Sequence, residues 1–162
     1  MKLISIIDED FVNYKKPTFS ILFPYCSMKC NKECGKVVCQ NTGLLDSELL
    51  EVDNQTIIDR YMSNPLTQAI CCYGMEPLDS QQDLFDFIDD FRLVCDDDII
   101  IYTGYTEEEI TNIVNRLRKY QNIIVKFGRY LPDCEPHYDE VLGVSLASPN
   151  QYAKRISDSL NQ

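Results

Sequence analysis

Four cysteines, Cys26, Cys30, Cys34 and Cys39, fall within the stretch "PYCSMKCNKECGKVVCQN". Their neighbours Lys29, Asn31, Lys32, Glu33 and Lys36 are polar, and a polar segment does not bury four thiols for packing. The spacing points to metal binding. A structural zinc site takes its ligands from two short cysteine turns a dozen or more residues apart, so that a tetrahedron closes between them. Here all four lie within 14 positions of one loop. A compact run of that kind suits an iron–sulfur cluster, where three thiolates could hold a cubane and leave one iron open to a substrate. Zinc is the competing reading. The remaining thiols differ: Cys71, Cys72 and Cys95 read as small buried hydrophobes, whereas Cys134 in a polar loop fits either role.

The elements around this loop give it a place. "TFSILF" (18–23) is a short β-branched and aromatic run that predicts a buried strand, and the cysteine loop follows it directly. A helix is expected after Asp53 or Asn54, ending at Asn64-Pro65, and then a second strand at 67–72. Ser80 is expected to cap the next helix, in which Leu84, Phe87, Ile88 and Phe91 share one face. "DIIIY" (98–102) predicts a third strand. Thr106 and Glu109 form a capping box for a helix that buries Ile110, Ile113, Val114 and Leu117, and "NIIVKF" (122–127) is a fourth strand.

Strands alternating with helices imply βαβ units and a parallel sheet, with ligands at the carboxyl ends of the strands. The loops at those ends are the cysteine loop, "YGMEP", "TGY" and "GRYLPD". The cysteines and an unusual Gly-Met-Glu-Pro turn are thus expected on one edge.

Composition narrows the partners. The chain has 162 residues and a formal charge of −11, so a basic face for nucleic acid is not expected. No apolar run approaches a membrane span, and "MKLISIIDED", with one lysine and a five-residue apolar run ending in acids, is not expected to be a signal peptide. One domain covering 1–162, with its cluster loop at 24–43, and a cytoplasmic location with reduced thiols are the expectations.

The pair Cys26-x-x-x-Cys30 after a strand, a further cysteine followed by Gln40-Asn41, and "GMEP" after the next strand resemble the radical S-adenosylmethionine (SAM) superfamily. Within it the chain is most similar to the small activating proteins of anaerobic ribonucleotide reductase. "CQN" resembles their Cys-aromatic-Asn, and "IYTGYTEEEI" their Thr-Gly-Tyr segment opening a helix. "GRY" and "LGVSLASPNQYAKRI" resemble their Gly-Pro-Phe and Ser-Ser-Asn-Gln-Arg stretches. The likeness runs over residues 10–156.

The resemblance implies an α/β fold, a partial (β/α) barrel with a mostly parallel sheet, holding a 4Fe–4S cluster on three cysteines. SAM would chelate the fourth iron, and its reductive cleavage would give methionine and a 5′-deoxyadenosyl radical. That radical would take a hydrogen from a glycine of a partner, anaerobic ribonucleotide reductase. A flavodoxin or ferredoxin would donate the electron. By the same resemblance Gly74, Met75, Glu76 and Pro77 would meet the SAM amino group. Thr103, Gly104 and Tyr105 would contact its ribose or adenine, and Asn150 and Gln151 would line the pocket. Read from the residues themselves, Gly74 allows close backbone approach beside the cofactor and Glu76-Pro77 stiffens the turn.

Two departures stand out. The superfamily pattern is Cys-x-x-x-Cys-x-x-Cys, whereas the third cysteine here is four or nine residues after Cys30. Spacing favours Cys34; the flanking Val38 and Gln40-Asn41 favour Cys39. The longer excursion adds only on the order of 1 kcal/mol of loop-closure entropy, and Gly35 could turn it back. The expected ligands are Cys26, Cys30 and Cys39, with Cys34 the alternative third. Met75 stands where the family has a second glycine. A radical SAM enzyme with a small-molecule substrate, or a non-enzymatic iron–sulfur or zinc module, are the other readings. Tyr25, Lys126 and His137 carry no assigned role, His137 being read as a loop residue.

Overall fold

The computed structural model describes residues 1–157. In chain order they form β1 (Lys2–Leu3), β2 (Ser5–Asp10), β3 (Thr18–Phe23), α1 (Lys29–Cys34), β4 (Leu50–Glu51), α2 (Asn54–Met62) and β5 (Ala69–Gly74). Then follow α3 (Gln81–Arg92), β6 (Asp98–Tyr102), α4 (Thr111–Leu117), β7 (Ile123–Phe127), β8 (His137–Asp139), β9 (Val144–Leu146) and β10 (Tyr152–Arg155). Six strands make the main sheet in the order β10-β7-β6-β5-β3-β2. The four central strands are parallel, and β2 and β10 are antiparallel edges. The class is therefore α/β with a mostly parallel sheet. The two edges do not pair with each other, so the sheet closes into no barrel.

The register explains why the strands are apolar on both sides. Phe19, Ile70, Ile99 and Ile123 stand in one row across the sheet, and Ser20, Cys71, Ile100 and Ile124 in the next. With a side-chain period of two, the first row and its equivalents face all three long crossover helices, against Ile57, Tyr61, Leu84, Phe87, Phe91 and Leu117. The other face is covered by Tyr14, Leu142 and Leu146. Both faces are dry, as buried parallel strands require. Each fully buried Leu, Ile or Phe contributes roughly 1.5–3 kcal/mol through the water it sheds.

Local signals mostly act as expected. Asp53 caps α2 by accepting from Thr56 N at 2.9 Å. Thr106 and Glu109 exchange backbone-to-side-chain bonds of 2.9 and 3.3 Å, the reciprocal box, ahead of α4. Three details differ. The second strand runs two residues later than its apolar signal, because β5 pairs with β3 out to Phe23↔Gly74. Ser80 lies at the start of α3 but caps nothing: a 3-10 turn, Pro77–Ser80, precedes the helix, and Glu76 accepts from Leu78 N to begin that turn. His137 is not a loop residue; it opens β8, opposite Leu146.

Candidate functional site

The carboxyl ends of β3, β5, β6 and β7 open into one cleft of about 370 Å³. Cys26, Cys30 and Cys39 all line it, and Cys34 does not. Gly74, Met75, Glu76, Thr103, Gly104 and Gln151 line it too, so most of the residues singled out from the sequence meet at one place. Pro77, Tyr105 and Asn150 lie off the cleft. Pro77 is buried in the 3-10 turn. Tyr105 borders a small adjoining hollow with Cys26, Cys30 and Glu76, and its hydroxyl donates to Asp79 at 2.6 Å. The Asn150 amide donates to Arg129 O at 2.8 Å, which makes it a strap rather than a lining residue. A more open hollow of about 450 Å³ lies beside Tyr25, Leu45 and Leu49, but it touches only Cys26 among the cysteines.

The cysteine loop is folded, not slack. Met28 enters α1 with φ 55°, and Gly35 leaves it with φ 64°, a left-handed stop that glycine adopts without strain. Met28 N donates to Cys26 Sγ at 3.2 Å. Asn31 Oδ1 accepts from the amides of both Val38 and Cys39, at 2.9 and 3.0 Å. Thr42 Oγ1 donates to Cys39 O at 2.7 Å, and Asn41 Nδ2 donates to Gly74 O at 2.6 Å. The loop is thereby tied to the end of β5. Burial pushes the Cys26 thiol up to about 11. Burial and the neighbouring Cys39 raise Cys30 as well. Metal-free, these groups are thiols, and binding a metal would release their protons.

The β5 turn supplies an acid and a constraint. Glu76 is buried, with Oε1 accepting from Leu78 N at 3.1 Å and Oε2 from Gly104 N at 2.8 Å. Burial lifts its carboxyl to about 7 against the pull of those two amides. Gly74 must be a glycine whatever the cleft binds. Its φ is +101°, and a Cβ would lie 2.9 Å from Phe23 N, inside the neighbouring strand. Gly104 is the glycine that opens the site: a Cβ there would sit 3.6 Å from Glu76 Oε2 and 3.8 Å from Cys30 Sγ. At Gly128, φ +97°, a Cβ would meet Asn150 O at 2.7 Å, so this glycine lets the 147–151 turn close over β7. Gln151 holds that turn, accepting from Ala147 N and Ser148 N and donating to Gly128 O at 3.3 Å.

Lys126 is the residue sequence reasoning missed. It is 6 % exposed, lines the cleft, and donates to Gly128 O at 2.9 Å. Burial lowers its ammonium to about 8, opposed by the nearby Glu76 and Cys30. The signal was present: a lysine inside the apolar run "IIVKF" is out of place unless it serves a site. Arg129 was missed too. It is buried under the loop, bonded through two nitrogens to Glu109 at 2.9 and 2.7 Å, with Glu33 at 3.2 Å from its Nε.

Among the described residues no three His, Cys, Asp or Glu side chains converge tightly enough for a single metal ion. Tetrahedral zinc needs that convergence, with every sulfur about 2.3 Å from one centre. A cubane is larger, and its cysteines each take a different iron, so three thiols spread around one cleft suit it.

Over residues 18–145 the chain matches the family described as "4Fe-4S single cluster domain". The match spans most of the sheet and the whole cysteine loop, and the protein belongs to this family of iron–sulfur proteins. No curated protein and no solved structure matches it. No helix among the described residues is long and apolar enough to cross a membrane.

Proposed function

We propose that the protein is a radical SAM enzyme that generates a glycyl radical on a partner, an anaerobic ribonucleotide reductase. One observation carries the reading. A single cleft at the carboxyl edge of the parallel sheet gathers three cysteines of one loop, a buried acid and a buried lysine. In this reading Cys26, Cys30 and Cys39 hold the 4Fe–4S cluster. When bound, the cluster supplies the single electron that breaks a carbon–sulfur bond of SAM.

The chain's own groups do the positioning. Glu76 and Lys126 are of opposite charge and line the same cleft, which complements the ammonium and carboxylate of an amino-acid moiety such as that of SAM. An incoming ammonium would hold Glu76 ionised. An incoming carboxylate would hold Lys126 charged, so both buried groups would gain the partners their burial demands. The notch at Gly104 keeps the space between Glu76 and Cys30 clear of side chains. Tyr73, Tyr102 and Tyr130 wall the cleft with aromatic surface, which lowers the local dielectric around a reactive species and excludes water from it. The electron would come from a flavodoxin- or ferredoxin-like carrier of the cytoplasm.

The test is anaerobic reconstitution followed by reduction in the presence of SAM. The reading expects about four irons per chain, as three-cysteine ligation of a cubane implies. It also expects 5′-deoxyadenosine as product and a glycyl radical doublet when the cognate reductase is added. A stable cluster that never cleaves SAM would make the protein an electron-transfer or scaffold module. Cleavage without a radical on the reductase would favour a small-molecule substrate. Tight zinc with no iron would overturn the cluster reading itself.

A further inference from the structure

The cluster reading requires a third cysteine, yet Cys39 lies nine residues beyond Cys30, and four of the residues between follow the thiol Cys34. Such a length leaves a slack chain free to offer either thiol unless something holds it. The structure has such a device. Asn31 follows Cys30 directly within α1, and its Oδ1 accepts from the amides of both Val38 and Cys39, at 2.9 and 3.0 Å. Gly35 reverses the chain after Cys34 with φ 64°, and residues 36–38 run back to reach the asparagine. Cys34, at the far end of α1, is left outside the cleft. One short helix thus carries the second thiol and the anchor of the third.

We propose that Asn31 is a positioning residue that selects Cys39 over Cys34 as the third cluster ligand, by pinning the Cys39 amide to the turn that bears Cys30. The inference rests on the cluster reading. Two accepted amide bonds fix the backbone on the amino side of Cys39, while Thr42 and Asn41 fix it on the carboxyl side. The backbone of Cys39 is then ordered before any metal arrives. Asp retains an acceptor at the same position; Leu and Ala do not.

The first measurement uses metal-free, reduced protein. In Asn31→Leu, or in the milder Asn31→Ala, the Val38 and Cys39 amides should exchange with solvent about tenfold faster or more, the scale set by losing a part-buried amide bond. Asn31→Asp should keep wild-type protection, and the amides of β5 and β6 should stay unchanged in all variants. The second measurement is iron content and the electron paramagnetic resonance spectrum after anaerobic reconstitution. Cys34→Ala and Asn31→Asp should each look like the wild type. Asn31→Leu should give an altered spectrum, and the double variant Asn31→Leu/Cys34→Ala should lose most of its iron. Unchanged exchange at Val38 and Cys39 in Asn31→Leu would overturn the proposal. So would a wild-type spectrum in the double variant. If the unaltered protein takes up no iron, the cluster reading falls, and the selection by Asn31 falls with it. The exchange result would then still report whether the clamp exists.

Discussion

Substituting Gly74 with alanine should destabilise the empty protein severely, for reasons unconnected with any cofactor. Gly74 ends β5 with φ +101° and pairs with Phe23 across the sheet. An added Cβ would lie 2.9 Å from Phe23 N, and 3.0 Å from both Leu22 Cα and Phe23 O. These are backbone atoms of the adjoining parallel strand, so no side-chain rotation relieves the clash. A backbone conformation foreign to an L residue costs about 1–3 kcal/mol. Forcing an extra carbon into a packed site costs about 1–3 kcal/mol more. Their sum centres on about 4 kcal/mol, a large part of the 5–15 kcal/mol by which domains are usually stable. At about 2–4 °C per kcal/mol for a domain of this size, the melting temperature should fall by roughly 8–16 °C.

The assay is thermal and urea unfolding of metal-free, reduced protein, with Gly104→Ala as the control. A Cβ at Gly104 meets its nearest atoms at 3.6–3.8 Å, ordinary contact distance, so that variant should melt within about 3 °C of the wild type. A Gly74→Ala protein that also melts within about 2 °C of the wild type would refute the strand-clash reasoning. For the same reason no Gly74 variant is a clean probe of cofactor binding. Gly104→Val is the better one, since it fills the notch between Glu76 and Cys30.

Two further outcomes follow from the site. Cys39→Ala should lose the cluster after reconstitution while Cys34→Ala keeps most of it; the reverse pattern, read by iron analysis, would move the third ligand to Cys34. Lys126→Met should stabilise the empty protein at pH 7, because the buried ammonium destabilises the fold, and, under the proposed radical SAM reading, should lower SAM affinity about tenfold or more. The sign follows from its lowered value: between about 8 folded and 10.5 unfolded the unfolded chain binds the extra proton. Wild-type stability should therefore rise with pH across that window, and the destabilisation is fully present below it. The urea midpoint of Lys126→Met should not show this rise. An unchanged midpoint at pH 7 together with unchanged SAM affinity would rule out both roles.

Much of this protein was legible in order and composition alone. The helical period of Leu84, Phe87, Ile88 and Phe91, and the short β-branched runs at 18–23, 98–102 and 122–127, specify an α/β alternation. Their burial follows from that pattern. The rule that ligands sit at carboxyl strand ends then brought the cysteine loop, "GMEP" and "TGY" to one edge, where a single cleft joins three of the loop cysteines to Gly74, Met75, Glu76, Thr103 and Gly104. These features are local, so adjacent residues encode them. The antiparallel edges β2 and β10 and the covering hairpin β8–β9 were not legible. Their pairing depends on partners far away in sequence, and their short runs carry little periodicity.

The same limit applies at the site. That Gly74 faces a neighbouring strand and Gly104 faces the cleft depends on which side of each backbone the sheet occupies. That Lys126 shares a cavity with Glu76 depends on strands 50 residues apart in the chain coming side by side around β6. Residue types and spacing pointed to one loop as the place where an iron–sulfur protein of this family would hold its cluster. Which thiols enter the cleft was decided by hydrogen bonds such as that from Cys39 N to Asn31, whose direction exists only once the loop has folded.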